Sequence, residues 1–148
     1  MEVREFRVDE PVYQESLDLR DRFLRIPLGL SIHDDDLTDE GGQVHVGLFD
    51  GGELVASVIL KDLGGGCGKL RQMVVEESRQ GRGLGRRLIE GLEDVARSRG
   101  FSFIEMAARL TARGFYEALG YVAEGDVFPE VGIDHIRMVK RLGIRGAE

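Results

Sequence analysis

Apolar and polar positions alternate with a period of two along much of the chain and change to helical spacing in three places. Glu2 to Val8 places Val3, Phe6 and Val8 among charged residues and reads as a first strand. Asp9 stands where it can cap a following helix, with Pro11 tolerated in the first turn. Val12, Leu17, Phe23 and Leu24 then mark a helix to about Arg25. Residues 26 to 42 hold Pro27, Gly29, Gly41, Gly42 and an acidic run, which reads as a long loop with a short helical turn. A functionless loop of that length is uncommon in a compact domain.

Gln43 to Phe49 sets Val44, Val46 and Leu48 against Gln43, His45 and Gly47. Asp50-Gly51-Gly52 is a hairpin turn, and Glu53 to Asp62 is the returning strand. Gly64-Gly65-Gly66 makes a second turn into a strand over Gly68 to Val75. In that strand two polar residues, Arg71 and Gln72, precede three apolar ones, Met73, Val74 and Val75. A strand of period two cannot place both sets consistently, which predicts a bulge near Gln72 or Met73.

Leu84, Leu88, Leu92, Val95 and Ala96 fall on one helical face, a core stripe rather than a binding surface. Gly100 after Arg97 and Arg99 suits the end of that helix. Phe101 to Ala107 reads as a buried strand, Thr111 as the cap of a short helix to Leu119, and Gly120 as its stop. Tyr121 to Glu124 and Asp134 to Lys140 complete the sheet. The expected fold is a single α/β domain over residues 1–142. Its centre is a twisted mixed sheet of six or seven strands with about four helices. Residues 143–148 are expected to be a frayed tail.

Composition narrows the classes. With 148 residues, 42% hydrophobic and 32% charged, the chain suits one soluble domain. Its longest apolar runs are too short to span a membrane, and no signal-peptide pattern opens it. The single cysteine, Cys67, excludes an internal disulfide and fits a reducing cytoplasm. A net charge of −7 argues against nucleic acid as a partner. His33-Asp34-Asp35-Asp36 is a solvated acidic run rather than a metal site, because consecutive residues cannot all converge on one ion. No metal is expected.

The segment Gln80-Gly81-Arg82-Gly83-Leu84-Gly85 lies between a strand and a helix. Its glycines let the backbone turn tightly and approach a bulky ligand. The first turn of the helix offers unpaired N–H groups and a partial positive charge, which suits a phosphate or pyrophosphate. Arg79, Arg82, Arg86 and Arg87 surround the turn. A P-loop needs Gly-Lys-Ser/Thr where this chain has Gly85-Arg86-Arg87. A dinucleotide fingerprint fits Gly81 and Gly83 and even an acid at Glu105, but its third glycine position is Arg86. Residues 76 to 80 also separate strand from turn, too many for that tight connection.

The pattern Q-x-x-G-x-G after such a strand resembles the acetyl-CoA-binding motif of the GNAT N-acetyltransferase superfamily. Gly114-Phe115-Tyr116-Glu117-Ala118-Leu119-Gly120-Tyr121 is similar to the family's later FYE-x-LG-aromatic segment. Gly132-Ile133-Asp134-His135-Ile136-Arg137-Met138 resembles the last strand of one bacterial branch. The resemblance covers residues 69 to 141. It implies a GNAT-type fold, acetyl-CoA as cosubstrate, and direct acetyl transfer to an amine. It further implies that Met73, Val74 and Val75, beside a bulge that splays two strands, line the pantetheine arm. A backbone N–H near Val74 or Val75 would then stabilise the oxyanion. The cradle would be Gln80, Gly81, Arg82, Gly83, Leu84, Gly85 and Arg86.

Tyr116 stands where many members carry the tyrosine proposed as general acid; the other reading is packing beside Phe115 and Leu119. Where the family often has an asparagine contacting cofactor, this chain has Arg109, which leaves a phosphate or a substrate carboxylate as its partner. His135 is a candidate base or substrate contact, against an outward residue on a late strand. Glu105 is a candidate base acting through water, against a charge at a strand end. Glu130 lies where it can line the acceptor site. The expected partner is a small-molecule or peptide amine, with a homodimer left open. The acidic loop favours cationic acceptors through long-range attraction. The rival function is an acyl-CoA-binding sensor that kept the cradle and lost the acid–base pair.

Overall fold

The computed structural model describes residues 1–143, so all of the expected tail beyond Gly143 lies outside the described residues. The strands are β1 (Glu2–Phe6), β2 (Val44–Asp50), β3 (Glu53–Gly64), β4 (Cys67–Val75), β5 (Phe103–Arg109), β6 (Val122–Glu130) and β7 (Ile133–Arg141). They form one seven-stranded sheet in the order β1-β2-β3-β4-β5-β7-β6. Every neighbouring pair is antiparallel except β4 and β5. The helices are α1 (Val12–Arg20), α2 (Leu84–Ser98) and α3 (Arg113–Ala118).

The alternation in β2 assigns its two faces. Val44, Val46 and Leu48 join the apolar cluster that contains Leu84, Leu88, Ile89, Leu92 and Ala96 of α2. His45, pointing the other way, meets the rings of Phe6 and Tyr13 on the α1 side. β3 lies inside the sheet and is buried on both faces from Leu54 to Leu60. Tyr116 and Tyr121 extend the α2 cluster toward the far end of the sheet.

Several local expectations change. Among the described residues three α-helices form where about four are expected, and the long loop after α1 folds into short 3₁₀ turns at Ile26–Leu28, Ile32–Asp34 and Glu40–Gly42. Asp9 does not cap α1; its carboxylate takes the Arg7 guanidinium at 3.1 Å, and Pro11 begins the helix without a side-chain acceptor. Thr111 does not cap α3 either, because residues 110–112 form a 3₁₀ turn that leads into it. β6 runs on to Glu130 across a register shift between Glu124 and Phe128. The sequence pattern ends this strand at Glu124, but an edge strand tolerates the bulge at residues 125–127 and the missing N–H donor of Pro129.

A buried ion pair fixes the long loop. Arg20 donates to both Glu40 carboxylate oxygens at 2.8 and 2.7 Å, and Tyr13 donates to the same carboxylate at 2.7 Å. His45 Nε2 donates to the Glu40 carbonyl at 2.8 Å. Such a group depends on its charges and polar atoms being met together, and here the Arg20 Nε–H alone among its buried side-chain atoms lacks a partner among the described residues. Here the loop can leave the sheet only by exposing an unpaired arginine.

Candidate active site

β4 and β5 run together for three residue pairs only: Cys67 with Phe103, Gly68 with Ile104, and Lys69 with Glu105. Beyond Lys69 their ladder stops, although β3 still pairs with β4 as far as Val75 and β7 with β5 as far as Arg109. The predicted bulge sits at this parting. Arg71 faces Ile59 and Val74 faces Ser57, so Gln72 and Met73 together oppose Val58. Gln72 takes a φ of 54°, which is uncommon for a residue with a side chain. Arg25 reaches over to accept this irregularity, donating to the Gln72 side chain at 3.3 Å and to Asp35 at 2.8 Å.

The gap opens into a cleft of about 850 Å³. One end is the glycine turn. Gly81 and Gly83 have φ of 81° and 75°, and a Cβ on either would meet no protein atom within 4 Å. Their requirement is therefore conformational, and the space above them is free for a ligand. Gly83 starts α2, and no side chain caps that helix. The first-turn N–H groups are thus left for an outside acceptor. Gly85 has a different reason: a Cβ there would lie 3.1 Å from the Phe115 ring and 3.2 Å from the Met73 methyl.

The arginines around the turn divide. Arg79 is spent on Asp50 at 2.6 Å, Glu76 at 3.1 Å and Glu53 at 3.4 Å. Arg87 donates to the Met1 carbonyl at 2.7 Å. Arg86 lines the cleft, with Glu90 at 3.6 Å, and Arg82 is exposed outside the lining, without a partner among the described residues. Gln80 lines the cleft and ties the turn to the strand, its amide donating to the Val75 carbonyl at 3.1 Å. Met73, Val74, Val75 and Leu84 also line the cleft. Val74 is buried in the α1-side core, so what it offers a ligand is backbone.

Tyr116 is 6% exposed and belongs to the core, yet it also lines the cleft. Its ring packs edge-on against Phe115 at 5.0 Å and Tyr121 at 5.7 Å. Tyr121 is held in turn by donating to Glu93 at 2.8 Å, and Lys140 donates to both oxygens of that buried carboxylate at 3.0 and 3.1 Å. The Tyr116 hydroxyl has no hydrogen-bond partner among the described residues. Burial pushes its phenol up to about 12, so it is protonated throughout the neutral range.

His135 also comes to the cleft, buried rather than outward. Its ring stacks on Phe128 at 6.1 Å, and Nδ1 lies 2.7 Å from the Ile133 carbonyl oxygen. A carbonyl can only accept, so Nδ1 carries a hydrogen, and in the neutral ring Nε2 is the nitrogen with the lone pair. Arg109 faces His135 directly across β5 and β7 and lines the same cleft. Glu105 does not. Arg137 donates to its carboxylate at 2.6 and 2.9 Å and also pairs with Glu124, and Glu105 is outside the lining. Glu105, a candidate base by sequence, is thus placed away from the cleft lining, with Arg137 on its Oε2.

Sequence reasoning missed Phe23, Leu24 and Arg25 of the π-type turn that ends α1, and Val131 of the β6–β7 hairpin, all of which line the cleft. The hairpin turn is Val131-Gly132 with φ of 46° and 75°. Both signs suit a two-residue turn, but a β-branched residue there is an outlier. The acidic run is largely spent inside the loop, since Asp35 pairs with Arg25 and Asp36 accepts from Thr38 at 2.7 Å. Among the described residues, no cluster of His, Cys, Asp and Glu could hold a metal ion, and no helix is long and apolar enough to cross a membrane.

Comparison with known proteins agrees with this geometry. Residues 3–121 match the family model described as Acetyltransferase (GNAT) family. Two proteins of Bacillus subtilis (strain 168) are similar over part of their length. One, which carries a provisional acetyltransferase name, is 34% identical over 77 residues, 52% of each chain. The other, YyaT, is 31% identical over 78 residues, 53% of each chain. The chain thus spans about half the length of the curated relatives it matches. Among solved structures, the aminoglycoside 6'-N-acetyltransferase of Enterococcus faecium is 26% identical with a TM-score of 0.75, covering 98% of this chain and 99% of that one. An aminoglycoside 6'-N-acetyltransferase complexed with coenzyme A is 25% identical with a TM-score of 0.77, at coverages of 98% and 99%. Escherichia coli ElaA, 21% identical with a TM-score of 0.80 at coverages of 95% and 99%, shares the fold.

Proposed function

The chain belongs to the acetyltransferase (GNAT) family, and on that footing we propose that it moves an acetyl group from acetyl-CoA to a primary amine by direct attack in a ternary complex. The observation that carries this reading is the cleft between the parted β4 and β5. It has an uncapped helix N-terminus at one end and an unpartnered phenol and an imidazole lone pair on its walls. The anion site suits the pyrophosphate of CoA, and the parted strands leave room for its pantetheine arm.

The transfer asks four things of the protein. The amine loses a proton to a base, and its nitrogen bonds to the thioester carbonyl carbon. The carbon–sulfur bond then breaks, and the departing thiolate takes a proton from an acid. Nε2 of His135 is the lone pair suited to receive the amine's proton, directly or through water. Tyr116 is the acid, its proton held at neutral pH and its hydroxyl free to meet the sulfur. A backbone N–H at Val74 or Val75 serves the oxyanion. No acyl-enzyme is needed, so Cys67 has no part. A sensor that had lost its acid–base pair would not need both Tyr116 and His135 on the cleft wall.

The experiment is a pair of measurements on the full chain. CoA and acetyl-CoA should raise the melting temperature, and ATP and NAD should do so far less. Acetyl-CoA with a panel of amines should release free thiol in step with acetylated product. Stabilisation by NAD and none by CoA would sink the reading. Stabilisation by CoA without transfer to any amine would favour the sensor.

A further inference from the structure

We infer that the acceptor is a carboxylate-bearing primary amine, an α-amino acid with an apolar side chain, and that Arg109 is the residue selecting it. This rests on the acetyltransferase reading and assigns its unassigned half. The strand registers place the relevant groups on one face. Arg109 pairs with His135, and His135 with Phe128, so the three side chains leave the same side of β5, β7 and β6. Glu130, two residues beyond Phe128, shares that side, as do Arg137 and Glu124 one step further back and Glu105 two steps back.

The charges on this face separate into satisfied and unsatisfied. Arg137 draws Glu105 and Glu124 together, so both carboxylates on this side already have a cationic partner. Arg109 is half-buried, lines the cleft, and has no hydrogen-bond or ion-pair partner among the described residues. Glu130, exposed at the rim, has none either. A half-buried guanidinium without a counter-ion is costly to keep unless a ligand brings one. The planar fork of arginine fits a carboxylate with two parallel hydrogen bonds.

Position decides between cofactor and acceptor. The anion cradle for the cofactor is at the start of α2, whereas Arg109 stands across from the imidazole proposed to take the acceptor's proton. A carboxylate on Arg109 therefore places an amine a bond or two away beside His135. Glu130 at the rim favours that amine's cationic form on entry. Phe23, Leu24 and Val131 supply an apolar wall for the rest of the molecule.

The test compares matched sets: leucine, leucinamide and isopentylamine, then phenylalanine, phenylalaninamide and phenethylamine. Each is measured for kcat/KM with acetyl-CoA in the native protein, R109Q and R109K. The native protein should prefer each amino acid over its amide on the order of ten- to a hundredfold, as expected for a charged hydrogen-bonded pair. That preference should approach one in R109Q and lie between in R109K, with the KM for acetyl-CoA unchanged. The amides are less basic and so less protonated near neutrality, which sets the comparison against the proposal. Equal or better use of the amides by the native protein overturns it. So does an R109Q defect appearing as a raised acetyl-CoA KM with every acceptor, which would give Arg109 to the cofactor. Stabilisation by CoA with no transfer to any of the six amines also overturns it, while leaving the cofactor site intact. Failure of CoA to stabilise the chain would instead remove the acetyltransferase reading beneath it.

Discussion

Arg20 and Glu40 meet through two hydrogen bonds with side chains 1% and 3% exposed, so the helix α1 and the end of the loop that follows it are joined by a desolvated ion pair. The worth of such a pair lies in the cost of breaking it. R20M should destabilise the fold by roughly 3–5 kcal/mol, because it strands a buried carboxylate. R20M with E40L should be milder than R20M alone. Chemical denaturation of the three proteins checks this, and strict additivity of R20M and E40L would show that the pair is not coupled.

The same cluster sets an acid limit. Burial lowers the His45 pKa below its usual 6.5 despite the nearby Glu40 carbonyl and carboxylate. The unfolded chain therefore takes up a proton on this residue at a pH where the folded chain does not. Stability is fully present above about 6.5 and falls as pH drops through the window beneath it. For Glu40, burial opposes ionisation, but Arg20 and Tyr13 outweigh it and hold the carboxyl below 4.5. Its contribution is present above 4.5 and is lost at still lower pH. H45Q, which keeps a donor near the Glu40 carbonyl, should flatten the melting temperature between about pH 5 and 7. An unaltered slope would assign the acid sensitivity to other groups.

Replacing Gly83 by valine puts a β-branched residue at a φ of 75° and a side chain into the free space over the turn. The ligand-free protein should lose roughly 1–2 kcal/mol, and CoA should no longer raise its melting temperature. G85A should act otherwise, by pressing on the ends of Phe115 and Met73 rather than on phosphate. Titration calorimetry with CoA separates them, and wild-type affinity in a folded G83V protein would remove the cradle from this turn.

Y116F keeps the ring contacts with Phe115 and Tyr121 and deletes only the unpartnered hydroxyl. CoA affinity should hold. The loss should fall on kcat, up to ~10²–10⁴-fold for a general acid. Because the phenol is held up to about 12, any alkaline limb of the rate profile near pH 9 belongs to another group and should survive the substitution. A kcat equal to wild type would reduce Tyr116 to packing.

The fold was legible wherever local patterning and tertiary packing ask for the same thing. The alternations in β2 and β3, the stripe of α2 and the broken period in β4 each appear where the residues indicate. The bulge could be read because two polar residues followed by three apolar ones leave a strand no consistent face. Boundaries set by long-range partners could not. Asp9 has the chemistry of a cap, but Arg7 takes it; Glu105 has the chemistry of a base, but Arg137, 32 residues away, takes that. Arg79 likewise looked like a phosphate ligand and is neutralised from β2 and β3. A cation near a glycine turn says nothing of which carboxylates reach it first. The tautomer of His135 was also beyond sequence, since it depends on a carbonyl two residues back in a strand end.

The three-pair ladder between β4 and β5 has a consequence for cooperativity. β1 to β4 and β5 to β7 are each stitched along their lengths, but only Cys67 to Lys69 joins one group to the other within the sheet. Helix α2 packs along β1 to β4 and ties the second group to the first where its Glu93 receives Tyr121 and Lys140, and α3 lies against β6 and β7. Such a seam invites sub-global opening, in which one block unfolds or swings while the other holds. A ligand lying along the seam would touch both blocks and couple them. Amide exchange in β5 to β7 should then slow on CoA binding by more than direct contact explains, so that the cofactor acts as the missing rungs of the sheet.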